Sequence, residues 1–339
     1  MNNVKKLHGG ELVWYVHKKY KIPLEKIISF DSLVSPINPS LPKPPKSILK
    51  SYCDRDFTRI KQIISEKYNI DAKNLILTNG STELIYIVSK IFGKKTQITI
   101  PTYSEYERAV KKYGGKINFC TSYSPKKTTL SFICNPNNPT GTLIKKEELI
   151  DILQMYHPDT KIFLDEAYMG FVSKEKSYSM AREIKNYKNL IISQTLSKLY
   201  GVPSVRLGWG IASKGIINTL KKHKFPMTIS NIAIYYAEKF LLDKSYEKRV
   251  NNLIEKERKY LFRELSKISW LKVNNSEVNY FLIKILNKIT ASELFNILAK
   301  KGIVIRDCSN IRGLNNKFIR IAVRTREENI LLIEEFKKL

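Results

Sequence analysis

The stretch SQTLSKLYGVPSVRLGWG places Thr195, Ser197, Lys198 and Arg206 close together, directly after an apolar run that has the character of a buried strand. Two hydroxyls and a guanidinium can donate to a phosphate, and an amine among them can form an imine with an aldehyde. Alone, the lysine would serve equally as a loop charge. Upstream, FLDEAY sets Asp165 at a strand end with Tyr168 three residues on, a position where an aspartate often caps a helix or shapes a turn. A third cluster, CNPNNPTGT at 134–142, has the Asn and Pro density of a turn and presents Asn138 between a strand and a helix.

One cofactor would use the first two clusters. Pyridoxal 5′-phosphate (PLP) brings an aldehyde and a phosphate. Its pyridine nitrogen needs an acidic partner, because the protonated ring is the electron sink that stabilises a carbanion at a substrate α-carbon. Asp165 is placed to supply that charge.

The elements that must position these residues follow from periodicity. NLILTNG at 74–80 is a strand running into a Gly-containing turn, and helical apolar spacing starts at Ser81. Strands and helices then alternate through TQITIP, SEYERAVKKYG, KINFC, TTLSFICN, KKEELIDILQMY, KIFLDEAY, NLIISQTLS and VRLGWGIAS. That alternation predicts a mostly parallel sheet covered on both faces. After about residue 213 the pattern changes to long helices, expected over 216–222, 231–242 and 246–266, and then to a second, smaller α+β unit. The Pro- and Ser-rich ISFDSLVSPINPSLPKPP is expected to be an extended connector.

Composition excludes other classes. With 339 residues, 43% of them apolar, the chain can bury a large core. Its start, MNNVKKLHGGELVWYV, has no signal-peptide character, and no apolar run approaches membrane-spanning length, so a cytoplasmic protein without membrane contact is expected. Cys53, Cys120, Cys134 and Cys308 are scattered, which suggests neither a metal site nor disulfides. The net charge of +28 is spread over small pairs such as Lys5–Lys6 and Lys221–Lys222, without a nucleic-acid module. A lysine-rich proteome, or steering of anionic small-molecule substrates, is the expected explanation of that charge.

The motifs NPNNPTG, DEAY, TLSK and RLG occur in the order and approximate spacing of the fold type I PLP-dependent aminotransferases (class I/II), and the chain resembles that family over essentially its whole length. The resemblance implies an α/β fold with a mostly parallel sheet in a three-layer α/β/α large domain at 46–230. A smaller α+β domain would comprise 1–45, including an N-terminal arm, together with 231–339. It implies Lys198 as the Schiff-base lysine and proton shuttle, Asp165 on the pyridinium, and Asn138 and Tyr168 on the ring 3′-oxygen. The cofactor phosphate would be held by Ser197, Thr195, Arg206 and the backbone of Ser81 and Thr82, where a helix opens. Tyr103 would stack on the ring, and Tyr52 would reach the phosphate of a neighbouring subunit, making the active unit a homodimer. Arg320 would grip a substrate α-carboxylate.

Two further segments, HGG at His8–Gly10 and IRDCSNIRGL followed by IAVRTREEN, resemble the threonine-phosphate decarboxylase branch, which makes aminopropanol phosphate for cobalamin biosynthesis. His8, Arg306 and Arg324 would then be ligands of a substrate phosphate. The alternative is an aminotransferase, of the histidinol-phosphate type or for general amino acids; in the second case Arg306 and Arg324 would not bind substrate. The chain departs from the branch pattern at Tyr52–Cys53, where Tyr-Pro is usual, and at LVSPINPSLPKPP, which lacks the usual glycine.

Overall fold

The computed structural model describes residues 10–123, 127–173 and 175–339. The chain begins with α1 (Glu11–Tyr20) and β1 (Ile28–Ser29), passes through an irregular connector, and reaches α2 (Thr58–Tyr68). There follow β2 (Leu75–Thr78), α3 (Gly80–Phe92), β3 (Lys95–Thr99), α4 (Glu105–Lys112), β4 (Lys116–Cys120) and β5 (Leu130–Cys134). The next elements are α5 (Lys146–Gln154), β6 (Lys161–Asp165), α6 (Glu175–Tyr178), β7 (Leu190–Thr195) and β8 (Gly208–Ala212).

Strands β2 to β8 form one seven-stranded sheet in the order β2-β8-β7-β6-β5-β3-β4. Every pairing in it is parallel except the two made by β8. Every residue of β2, β5, β7 and β8 is buried, the signature of strands covered on both faces. Tyr106, Val110, Leu84, Val88, Ile217 and Leu220 pack together with residues of the sheet. Ile60 and Ile64 of α2 and Leu149 and Leu153 of α5 belong to a second apolar cluster. The architecture is α/β with a mostly parallel central sheet, as the alternation of elements requires.

The remainder comprises α7 (Lys214–His223), α8 (Asn231–Leu242), α9 (Lys244–Leu265), β9 (Leu271–Val273), β10 (Tyr280–Ile285), α10 (Ala291–Ala299), β11 (Ile303–Val304), β12 (Arg306–Asp307), β13 (Phe318–Ala322) and α11 (Arg326–Lys337). The three long helices expected after residue 213 are present, with ends shifted by up to two residues. Asp243 sets one of these boundaries by accepting a bond from Tyr246 N–H, which caps α9 ahead of its first apolar residue. A four-stranded antiparallel sheet runs β12-β13-β10-β9, and β1 pairs in parallel with β11, tying the start of the chain to its C-terminal part. Capping boxes Thr290–Glu293 and Thr325–Glu328 fix the starts of α10 and α11.

This topology brings chemistry-bearing residues to one edge of the large sheet. Asp165 ends β6, Thr195 ends β7, and Ser197 and Lys198 follow at once, while Asn138 and Tyr103 lie in the loops after β5 and β3. Because β8 runs the other way, its first residue, Gly208, meets the same edge. A Cβ there would lie 2.7 Å from both Gly80 C and Ser81 N, so only glycine lets the opening of α3 approach this closely.

Candidate active site

A cavity of about 300 Å³ opens at that edge, and its lining includes Lys198, Asp165, Tyr168, Arg206, Arg306 and Arg320. Ser81, Thr82, Tyr103, Asn138, Thr195 and Ser197 line it too. Two of the expected residues stand apart. Tyr52 is 86% exposed and lies outside the lining. Arg324 gives its guanidinium to Glu328 at 3.1 and 2.8 Å, a pair that would have to break before Arg324 could reach into the cavity. His8 lies outside the described residues, although Gly10, two positions on, lines the cavity.

At one end the cavity is a cradle of donors. Helix α3 opens at Gly80 without a side-chain cap, so its first-turn N–H groups and the helix dipole could receive an anion. Gly80 has φ of +70°, and a Cβ on it would fall 2.5 Å from Arg206 Nη2, so its bareness makes room for the guanidinium. Arg206 is held by the carbonyls of Pro203 (3.2 Å) and Asn79 (3.3 Å). The hydroxyl oxygens of Thr195 and Ser197 lie 3.1 Å apart beside it.

The middle of the cavity carries opposed charges stripped of water. Asp165 is 3% exposed. Its Oδ2 accepts from Tyr106 O–H at 2.8 Å and its Oδ1 from Ala167 N–H at 3.0 Å. Burial raises the pKa of this carboxyl, and the Tyr106 and Ala167 bonds and the Lys198 charge pull it back. Lys198 lies with Nζ 5.5 Å from the Tyr168 ring centre. Desolvation, and after it the Arg320 charge, push its pKa down to about 8, opposed by Asp165 and Asp31. A lysine so tuned holds a usable neutral amine near neutral pH, as a nucleophile or proton carrier requires.

The far wall is cationic. Arg306 of β12 and Arg320 of β13 are register partners directly opposite one another, at 5% and 8% exposure. Facing like charges cost stability, so this pair needs neighbours that balance it. Arg320 Nη1 donates to Asn138 Oδ1 at 2.6 Å, and its Nη2 donates to the Asp31 carbonyl at 3.1 Å and lies 3.4 Å from Asp31 Oδ1. Arg306 Nη2 donates to Asn310 Oδ1 at 3.1 Å.

Sequence reasoning missed Tyr106 and Asp31. Tyr106 stands three residues after Tyr103, so the helical spacing of PTYSEYERA could have marked the two as one unit; their rings meet edge to face at 5.6 Å. Asp31 offered only an acid inside an apolar connector.

A three-layer α/β fold with a lysine, a buried carboxylate and a phosphate cradle at the strand ends defines a fold type I PLP enzyme. The profile of the family "Aminotransferase class I and II" matches residues 46–336. A provisionally named threonine-phosphate decarboxylase of Caldanaerobacter subterraneus subsp. tengcongensis is 34% identical over 307 residues, covering 86% of this chain and 83% of its own. A histidinol-phosphate aminotransferase of Clostridium novyi is 34% identical over 338 residues, covering 94% and 92%. Among solved structures, the histidinol-phosphate aminotransferase from Clostridium acetobutylicum has a TM-score of 0.84 at 30% identity, covering 92% of this chain and 98% of that one. The chain belongs to the aminotransferase class I and II family, whose enzymes depend on PLP.

The residues present fit that cofactor. Asp165 is a desolvated carboxylate whose charge a pyridinium would balance, and the start of α3, without a side-chain cap, would receive a phosphate.

Two outcomes test this electrostatic arrangement. PLP capture by the cofactor-free protein requires the neutral Lys198 amine, so its rate should rise with pH to an inflection at about 8 and then level, well below the range of an ordinary lysine. Stopped-flow absorbance across pH measures this, and an inflection above 10 would reject it. Tyr106→Phe removes a bond to a charged acceptor, worth roughly 1.5–3 kcal/mol, and lets the Asp165 pKa rise further. PLP affinity should fall about tenfold or more in a fluorescence titration, and an unchanged affinity would remove Tyr106 from this role.

Proposed function

We propose that this chain is a cytoplasmic, homodimeric PLP enzyme that decarboxylates a phosphorylated amino acid, O-phospho-L-threonine, to aminopropanol phosphate, as in cobalamin biosynthesis. The observation that carries this reading is the facing pair Arg306 and Arg320, buried in the same cavity as Lys198. Two adjacent guanidiniums, each able to make paired bonds to an oxyanion, suit a substrate with two anionic groups.

In this assignment Arg320 holds the α-carboxylate and Arg306 the phosphate. When bound, PLP supplies the aldehyde that captures the substrate amine and the ring that accepts the electron pair released at the α-carbon. Ser81 and Thr82 N–H groups, Thr195, Ser197 and Arg206 would hold the cofactor phosphate, and Asp165, steadied by Tyr106, would balance the ring nitrogen. Asn138 and Tyr168 would bond the 3′-oxygen, and Tyr103 would cover the ring. Lys198 would first hold the cofactor and then deliver a proton to the α-carbon. His8 and Arg324 remain candidates for the substrate phosphate, Arg324 only after leaving Glu328.

The dimer has an apolar surface to bury. Phe225 and Met227 are 76% and 54% exposed beside Cys53 and Phe57, and Tyr52 precedes them in the chain. A second copy would cover this patch and bring Tyr52 to its neighbour's cofactor phosphate. No helix among the described residues is long and apolar enough to cross a membrane.

The holoenzyme should release carbon dioxide from O-phospho-L-threonine without any oxo-acid. It should sediment as a dimer, and Arg306→Ala should raise KM about tenfold or more while leaving the PLP spectrum intact. Glutamate formed instead from histidinol phosphate and 2-oxoglutarate would assign the aminotransferase reaction and overturn the proposal.

A further inference from the structure

Asp31 stands where a substrate carboxylate would have to dock. It is 1% exposed, it lines the cavity, and both its carbonyl and its carboxylate approach Arg320 Nη2. Asn138 engages the other terminal nitrogen. Two buried atoms are left without a hydrogen-bond partner among the described residues, Asp31 Oδ2 and Arg320 Nε. An arginine grips a carboxylate most tightly through two parallel N–H bonds, and here both terminal nitrogens are already engaged. An incoming carboxylate therefore meets a guanidinium partly neutralised by a fixed acid, with a second anionic oxygen close by.

Such a loosened grip suits one class of reaction. An interaction stronger in the ground state than in the transition state slows the chemical step, and a carboxylate leaving as carbon dioxide loses its charge on the way. As the bond from the α-carbon to the carboxylate breaks, the electron pair stays with the α-carbon, neutral carbon dioxide departs, and a proton from Lys198 takes the vacated place. An arginine clamped on both carboxylate oxygens would oppose that loss. A transaminase keeps its carboxylate throughout and gains from the clamp.

We propose that Asp31 is a positioning residue that competes with the substrate α-carboxylate for Arg320, setting the site for amino-acid substrates whose carboxylate is held weakly and released. The inference rests on the assignment of Arg320 as the carboxylate site made above.

The test uses holoenzyme in which borohydride has fixed PLP on its lysine, so that ligands bind without turnover. O-phospho-L-threonine and 1-amino-2-propanol phosphate, identical but for the carboxylate, are titrated by calorimetry against the parent, Asp31→Asn and Asp31→Ala. Both variants should bind phosphothreonine at least tenfold more tightly and the amine within about twofold of the parent. In unreduced enzyme, Asp31→Asn should lower KM and kcat together. An unchanged ratio of the two affinities, or equal loss for both ligands in both variants, would overturn the proposal. Should the parent release no carbon dioxide from phosphothreonine, the decarboxylase reading fails, while the affinity ratio still decides the role of Asp31.

Discussion

The site depends on holding opposite charges in a cavity that has little water to solvate them. Burial drives Asp165 toward its neutral acid and Lys198 toward its neutral amine, and neither shift runs to completion because protein dipoles and charges stand close by. Tyr106 and the Ala167 N–H keep a negative charge available at the end of β6. Arg320 holds down the charge on Lys198 while Asp165 and Asp31 support it. The fold must keep these groups in place, because an effect that grows as the local dielectric falls is lost when water enters.

The frame behind the cavity is built accordingly. Glu166, next to Asp165, points away from it and accepts from Ser179 O–H (2.6 Å), Met180 N–H (2.8 Å) and Gln194 Nε2 (2.8 Å). Gln194 in turn accepts from Trp209 Nε1 at 3.1 Å, so one buried network links the ends of β6, β7 and β8. Burial pushes Glu166 up to about 7, yet each of its bonds favours the anion. A satisfied network of this kind fixes geometry more than it adds stability. The proposed catalytic residues follow the ends of β6 and β7 by zero to three positions, next to this network.

Much of this was legible in the sequence, for a physical reason. A buried parallel strand shows itself as an apolar run, and its carboxyl end is then known, which placed Asp165 at a strand end and Thr195 and Lys198 directly after an apolar run. The resemblance to a family assigned them their proposed partners. What the pattern could not reveal were contacts made by elements remote in the chain. Tyr106 meets Asp165 across 59 positions, and Asp31 meets Arg320 across 289. Arg324 shows the opposite effect: its partner Glu328 sits four residues on, in the capping box of α11, and local helix chemistry binds the side chain expected at the substrate.

The two reactions weighed for this cavity need nearly the same residues, which is why similarity at 34% identity points to both. PLP chemistry breaks whichever α-carbon bond stands perpendicular to the ring, so the choice is made by the groups that orient the substrate around that carbon. In the proposed assignment those groups are the two facing arginines and the acid beside one of them. Arg306 and Arg320 sit opposite one another on adjacent strands, so a substrate held by both would have to carry charges at their spacing. Asp31 lies against one member of the pair, its carboxylate 3.4 Å from Arg320 Nη2. On the proposed assignment Arg320 beside Asp31 would hold a carboxylate loosely, and that grip, more than the cofactor cradle, is where the reaction would be chosen.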